Sequence, residues 1–295
     1  MISICIPIYN VDVTRLVRDL YEQAEKLSVA YEILLIDDAS DASFRAINAA
    51  IHYPCVRYIP LESNIGRSGI RNLLADESKY LYLIFMDCDS EVKKADYLEK
   101  YLSHCHSGVV CYGGRCYDAT PPVVACILHW KYGTNREALS FEKRKATPYF
   151  AFQTNNFLID KQIFDVVRFN EYISGYGHED TLIGIDFENN NILVEHVDNP
   201  LIHNGLETSA VFLAKTEKGL FNLKKIESIL PPQSIKTFQK IRIVRMKARL
   251  EKWHLKRVFV FVYRILRPLL LLNLQGKSPS LIAFDIYKLG YYCRL

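Results

Sequence analysis

Apolar and polar positions change period several times over the first ninety residues. Residues 2–8 alternate, with Ile2, Ile4, Ile6 and Ile8 on one side and Pro7 near the end, the pattern of a β-strand. Residues 12–28 switch to helical spacing, with apolar side chains at 13, 16, 17, 20, 24 and 27. Residues 32–36 are a short apolar strand that stops at Asp37-Asp38. Residues 41–51 read as a helix, 56–59 as a strand and 67–79 as a helix after the turn Asn64-Ile65-Gly66, and the apolar run up to Met86 reads as the next strand. This β-α-β-α-β order predicts an α/β fold with a mostly parallel sheet flanked by helices. In such sheets ligands bind beyond the carboxyl ends of the strands. Three predicted strand ends carry polar residues that the topology would bring to one edge: Tyr9-Asn10, Asp37-Asp38, and Asp87 with Asp89.

The middle of the chain is less regular. Residues 109–117, 151–159 and 190–197 read as strands, the second with Gln153, Asn155 and Asn156 among its apolar residues. A loop over 173–180 leads into a helix over 179–188, and Leu201-Ile202-His203 follows a proline. Residues 209–229 read as a helix, and Pro231-Pro232 marks a boundary. A catalytic domain over 1–230 and a helical, basic C-terminal region over 231–295 are the expected divisions.

Charge sharpens that division. Between Lys236 and Pro268 eleven Lys and Arg stand against Glu251 alone, so this segment carries +10 of a chain whose net charge is +4, and the remainder is at −6. The segment is also apolar, but Arg264, Arg267 and Pro268 interrupt it well short of the roughly 18–20 residues of a membrane span. At about 100° per residue, Lys256, Arg257, Arg264 and Arg267 share roughly a third of a helix circumference, with Val260 in the same arc. A basic helix rich in aromatic residues suits an anionic membrane surface; a helical hairpin packed on the main domain is the competing reading. No recognition motif for nucleic acid accompanies the charge, and no nucleic-acid partner is expected. The eight cysteines are scattered without a Cys-x-x-Cys pair, as reduced thiols would be. The N-terminus opens as a strand and lacks the features of a signal peptide. The expected location is cytoplasmic, peripheral on the inner face of the cell membrane.

Candidate chemistry lies at the predicted sheet edge. Asp87 and Asp89, separated by Cys88, can hold a divalent cation and through it a diphosphate, since hard oxygen ligands suit Mg²⁺ or Mn²⁺. A solvated strand end is the plain alternative. In the loop Gly175-Tyr176-Gly177-His178-Glu179-Asp180 the glycines permit close backbone approach. The two carboxylates then stand at a helix start, whose field favours their ionised form, although a simple helix cap would look the same. His203 downstream gains meaning from this company.

Five motifs in this order resemble glycosyltransferase family 2 with the GT-A fold: Ser3-Ile-Cys-Ile-Pro-Ile-Tyr-Asn10, Glu32-Ile-Leu-Leu-Ile-Asp-Asp-Ala-Ser40, Asn64-Ile-Gly-Arg-Ser-Gly-Ile-Arg-Asn72, Phe85-Met-Asp-Cys-Asp89 and Gly175-Tyr-Gly-His-Glu-Asp180. The resemblance covers about the first 205 residues. The last motif and the later histidine are similar to the galactosyl- and N-acetylgalactosaminyl-transferase branch, including chondroitin-type polymerases, which often carry Trp where this chain has Tyr176. The resemblance implies a UDP-sugar donor, a divalent cation (Mn²⁺ or Mg²⁺), and a glycan or lipid-linked glycan acceptor in bacterial capsule or lipopolysaccharide synthesis. It implies Pro7, Tyr9, Asp37, Asp38 and Asn64 at the nucleoside, with Arg67 and Arg71 near uracil and diphosphate. Asp87 would hold the ribose or donor sugar, and Asp89 and His203 the metal. Asp180 would be the general base and Glu179 would position sugar hydroxyls, with Asn155, Tyr176, Gly177 and His178 toward acceptor and sugar. A sugar-nucleotide nucleotidyltransferase would want a Gly-rich phosphate loop with a lysine near the N-terminus, and a dehydrogenase a Gly-x-Gly-x-x-Gly after the first strand. Pro7-Ile-Tyr-Asn10 is neither. A non-catalytic nucleotide-sugar sensor or membrane scaffold is the alternative from outside enzymes.

Overall fold

The alternation at the N-terminus becomes the two faces of a sheet. In the computed structural model, which describes residues 1–173 and 175–295, β1 (Ile2–Ile8) sends Ile2, Ile4, Ile6 and Ile8 into one core and Cys5 into another. Its neighbours β2 (Tyr31–Asp37), β3 (Val56–Pro60) and β4 (Tyr82–Met86) follow the same rule: Ile33, Leu35, Ile84 and Met86 face the first core, Leu34, Ile36, Leu83 and Phe85 the second. A sheet covered on both faces needs apolar residues at every position, which is why β2 and β4 read as continuous runs. The helix Thr14–Ala24 supplies Leu16, Val17, Leu20 and Ala24 to the first core, and the helix Gly66–Glu77 supplies Ile70, Leu74 and Ala75 to the second.

The remaining strands are β5 (Ser90–Glu91), β6 (Val110–Tyr112), β7 (Arg115–Cys116), β8 (Asn156–Asp160), β9 (Val194–His196) and β10 (Leu201–His203). Among the described residues the main sheet has seven strands in the order β3-β2-β1-β4-β8-β6-β9, and a small sheet has the order β5-β10-β7. β1 pairs parallel with β2 and β4, β2 with β3, and β6 with β9, while β8 runs antiparallel to β4 and β6. The sheet is mostly parallel, as its sequence pattern predicts.

These strands belong to a first compact unit, residues 1–117, 138–173 and 179–205; a second unit holds residues 118–137, 175–178 and 206–295. Ser174 of the expected loop lies outside the described residues. The second unit is helical. Leu128, Phe212, Leu213, Tyr263, Leu274, Phe284 and Tyr287 form its core, drawn from the helices Ile127–Tyr132, Ser209–Ile229, Lys256–Leu274 and Leu281–Arg294.

Several expectations change in detail. The strand expected over 109–117 is two short ones, β6 and β7, because Gly113 and Gly114 turn the chain from the large sheet to the small one, Gly114 with a positive φ of 100°. The strand expected over 151–159 begins at Asn156, and that over 190–197 at Val194. The short helices Tyr97–Leu102, Phe141–Ala146 and Lys161–Val166 are additions that six-residue windows do not reveal. Pro268 interrupts the apolar run but not the helix, which continues from Lys256 to Leu274. No helix among the described residues is long and apolar enough to cross a membrane.

Asn156, one of the polar residues within the expected strand, is fully buried and structural. Its Oδ1 accepts from the hydroxyls of Tyr97 (2.8 Å) and Tyr101 (2.7 Å), and its Nδ2 donates to the carbonyls of Gly114 and Asn199, both at 2.8 Å. The amide's capacity is thus filled, and it pins the turn that leads into β7. Arg144 braces the same turn, donating to the carbonyls of Tyr112 (3.0 Å), Gly113 (3.2 Å) and Val197 (2.9 Å). Asn156→Leu removes these four buried hydrogen bonds. The Tyr101 hydroxyl keeps the Asn156 carbonyl (3.0 Å) and Gly114 O keeps Leu201 N (3.3 Å), but the Tyr97 hydroxyl and the Asn199 carbonyl lose the amide that satisfies them. We expect a loss of roughly 3–5 kcal/mol in chemical denaturation; a loss under about 1 kcal/mol would show that the network does not hold the turn.

Candidate active site

The register of the parallel strands assembles the site from three chain ends. Ile8 pairs with Asp37 and Cys5 with Phe85, so the segments after β1, β2 and β4 emerge at one edge. Hydrogen bonds join them. Asp38 N donates to Ile8 O at 2.8 Å, Asn10 N donates to Ser40 Oγ at 2.8 Å, and Asp41 N donates to Asn10 Oδ1 at 2.7 Å. Asp37 is buried and accepts from Ser40 N (2.7 Å) and the Tyr58 hydroxyl (2.8 Å). Asp38 accepts from the N–H groups of Ile65 (2.7 Å) and Gly66 (3.1 Å), so it ties the end of β2 to the start of the helix Gly66–Glu77. Burial raises its carboxyl above the usual range, with the two N–H groups opposing. Asn64 Nδ2 donates to Asp38 O at 3.0 Å. Pro7 is half-buried and Tyr9 exposed at the same edge.

Asp87 lies between two guanidiniums. Arg71, itself buried, donates to Asp87 Oδ1 at 2.7 Å, and Arg115 Nη2 lies 3.6 Å from Asp87 Oδ2. Asp87 N donates to Asn155 O at 3.1 Å, and the buried Asn155 side chain accepts from the Tyr112 hydroxyl at 3.3 Å. Cys88 sits between the two aspartates, its thiol pushed up to about 12 by burial and by Asp89. It is therefore a neutral thiol at ordinary pH and no nucleophile.

The small sheet brings Asp89 and His203 together. Ser90 of β5 is the register partner of His203 of β10, and β10 also pairs with β7, Leu201 opposite Arg115. Asp89 immediately precedes β5, and its Oδ1 lies 3.3 Å from His203 Nδ1. That oxygen is buried without a well-formed hydrogen bond. Burial pushes the carboxyl up, but the His203 imidazole, with Arg115 and Arg67, outweighs burial and brings it down to about 2. A Cβ at Gly205 would collide with Asp89 Oδ2, so the glycine leaves the carboxylate its room. An under-coordinated carboxylate oxygen beside an imidazole nitrogen is a donor set that fits a divalent cation. A cavity of about 320 Å³ opens beside it, lined in part by Asp12, Arg15, Asp89, Glu91 and Gly205.

Glu179 and Asp180 open the helix Glu179–Asn189. Arg67 Nη1 lies 3.2 Å from Glu179 Oε1. Burial opposes ionisation of Glu179, but Arg67 and Arg71 overcome it and hold the carboxyl below its ordinary value. Asp180 is less buried and accepts from Thr181 N at 2.7 Å.

The first unit therefore gathers Pro7, Tyr9, Asp37, Asp38, Asn64, Arg67, Arg71, Asp87, Asp89, Asn155, Glu179, Asp180 and His203. Tyr176, Gly177 and His178 belong to the second unit, where Asn222 Nδ2 donates to the carbonyls of Tyr176 (3.2 Å) and Gly177 (3.3 Å), and Lys215 Nζ lies 5.0 Å from the centre of the Tyr176 ring. Gly177 has a φ of 95°, and a Cβ on it would lie 3.1 Å from Gly219 Cα, so this glycine answers both a turn and a close approach. Arg115 and Gly205 were not singled out in the sequence. The glycine pair before Arg115 was the available signal, and nothing local marks Gly205.

The family model of glycosyl transferase family 2 matches residues 3–169, more than half of the chain. Among solved structures the chain is similar to the mannosyltransferase PcManGT from Pyrobaculum calidifontis in complex with GDP-Man and Mn²⁺, with a TM-score of 0.61 at 11% identity over 99% of this chain and 84% of that one. It is also similar to S. aureus TarS 1-349, with a TM-score of 0.51 at 14% identity over 97% of this chain and 89% of that one. Against a longer TarS chain the TM-score is 0.54 at 15% identity, over 80% of this chain and 42% of that one. At these identities the likeness speaks to the fold. No curated protein sequence matches the chain significantly. The sheet order, the edge it creates and the family match over residues 3–169 together establish that this chain has the GT-A fold and belongs to glycosyl transferase family 2.

Proposed function

We propose that this glycosyltransferase is metal-dependent and inverting, and that it moves a sugar from a UDP-sugar to a hydroxyl of a glycan or lipid-linked glycan in bacterial surface polysaccharide synthesis. The observation that carries the reading is the Asp89–His203 pair, with its buried carboxylate oxygen, beside an Asp87 held by Arg71 and Arg115. Asp89 and His203 would hold the cation, Mn²⁺ or Mg²⁺. The bound cation would neutralise charge on the leaving diphosphate. The GDP-Man and Mn²⁺ of the PcManGT complex support a nucleotide-sugar donor and a divalent cation.

The residues of this chain divide the remaining work. Asp37, Asp38, Asn64, Pro7 and Tyr9 form the nucleoside side. Arg67 and Arg71 suit phosphate oxygens because a guanidinium donates in a planar fork, and a diphosphate would draw them from Glu179 and Asp87. Asp180 takes the proton from the acceptor hydroxyl. The acceptor oxygen then bonds to the anomeric carbon as the bond from that carbon to the diphosphate oxygen breaks on the opposite face. The product is inverted, a β-linkage from an α-linked donor. The field at the helix start favours the ionised Asp180 that a base requires. Glu179, ion-paired with Arg67, is poised to orient sugar hydroxyls.

Calorimetric titration of UDP and GDP, each with and without Mn²⁺, tests the donor site. We expect micromolar UDP binding that needs the metal and disappears in Asp89→Ala. GDP binding in its place would reassign the base, and binding of neither would remove the nucleotide-sugar reading. Gly205→Ala should weaken metal-dependent UDP binding by about 10–100-fold, the usual cost of disturbing the surroundings of a metal ligand; unchanged binding would take Asp89 out of the metal site. Asp180→Asn should bind UDP normally and lose transfer by about 10²–10⁴-fold, whereas near-normal turnover would reject Asp180 as the base.

A further inference from the structure

The helix Lys256–Leu274 is apolar on two opposite sides, and its packing decides which side is free. Tyr263 and Leu274 are buried in the core of the second unit, with Leu270 packed against it. Gly290 permits the closest approach: a Cβ there would collide with the Tyr263 ring. Arg267 points the same way, 3.4 Å from Glu217, which also accepts from the Tyr287 hydroxyl. At 100° per residue, Tyr263, Arg267, Leu270 and Leu274 occupy an arc of about 60°. The cation Arg267, counted in the sequence as part of one basic face, is thus turned inward. Lys256 is likewise taken up, 3.0 Å from Glu251.

The opposite side carries Val258, Phe261, Val262, Ile265, Leu269 and Leu272, within an arc of about 100°. All six are exposed, and Phe261, Ile265, Leu269 and Leu272 keep more than 60% of their surface accessible. Trp253 and Ile282, in the flanking segments, are also exposed, at 62% and 72%. Contiguous apolar surface of this kind marks a contact rather than a solvated face. Its charge setting identifies the contact. Arg257 and Arg264 flank the stripe on one side, roughly 40–60° from its edge. On the preceding helix Arg242–Lys252, the residues Arg242, Arg245, Arg249 and Lys252 form an exposed stripe about 80° wide. Arg245, Arg249, Lys252, Arg257 and Arg264 make no ion pair with a described residue. A helix with an apolar stripe, a basic border and a nearby Trp fits the headgroup–acyl boundary of an anionic leaflet.

We infer that the helix Lys256–Leu274 lies in the plane of an anionic membrane surface, with Phe261, Ile265 and Leu269 in the acyl boundary and Arg257 and Arg264 at the phosphate level. The reading is independent of donor and metal, because its test uses the full chain without substrate. Flotation with vesicles of phosphatidylcholine alone, and of equal parts phosphatidylcholine and phosphatidylglycerol, should carry the wild type with the anionic vesicles. Phe261→Asp/Ile265→Asp changes two exposed positions and should keep the wild-type melting temperature while its bound fraction falls at least about tenfold. Arg257→Gln/Arg264→Gln, with the apolar stripe intact, should lose several-fold in binding to the anionic vesicles. Absence of wild-type flotation with the anionic vesicles, or retention of wild-type binding to them by either double variant, would overturn the inference. So would a wild-type dimer without vesicles that Phe261→Asp/Ile265→Asp dissociates, since the stripe would then be a contact between copies of this chain.

Discussion

The parallel register of β1 with β2 and β4 is the constraint on which the carboxyl edge depends. Ile8 opposite Asp37, and Cys5 opposite Phe85, bring three chain ends to the same level. Because both faces of this sheet are buried, a slip of one residue would exchange the side chains of the two cores and carry Ser3 or Pro7 into the places of isoleucines. The register is therefore strongly specified. The polar residues begin where the buried pattern stops, so the same rule that forms the core delivers Asn10, Asp38, Asp87 and Asp89 to one place.

At that edge, alternating charge holds the site in shape. Asp87 is fixed by Arg71 and Arg115 and Glu179 by Arg67, while Asp89 stands beside the His203 imidazole. Each carboxylate is at least partly withdrawn from water, where an unpaired charge is costly. The arrangement suits an anionic ligand, because guanidiniums already ordered by carboxylates can be redirected to phosphate oxygens without a large loss of side-chain freedom. The small sheet β5-β10-β7 links these pairs mechanically: His203, Ser90 and Arg115 sit on neighbouring strands, and the Gly113-Gly114 turn that feeds β7 is held by Asn156 and Arg144.

Period and chain order sufficed to read the strands of the first half and their parallel arrangement, because a doubly covered sheet leaves a strong apolar signal in each strand. The long helix over 209–229 was legible for the same reason of length. The expected strand over 109–117 was only partly so. Two consecutive glycines gave it a local cue to a turn, but the destination of the chain after that turn depends on β10, about ninety residues later. Short helices such as Lys161–Val166 have too few turns to display a period.

By itself the sequence determined the α/β class, the edge where polar residues collect and the concentration of positive charge near the C-terminus, since each follows from local periodicity or composition. Only the tertiary structure decided that Arg115 braces Asp87, that Gly205 makes room for Asp89, and that Asn156 serves the core. Each of these depends on atoms distant in the chain meeting within a few ångströms. It also decided which side of the helix Lys256–Leu274 is free. A helical wheel ranks faces by polarity, but here both faces are apolar, and the close fit of Tyr263 against Gly290 turns Arg267 inward and leaves Phe261, Ile265 and Leu269 outside.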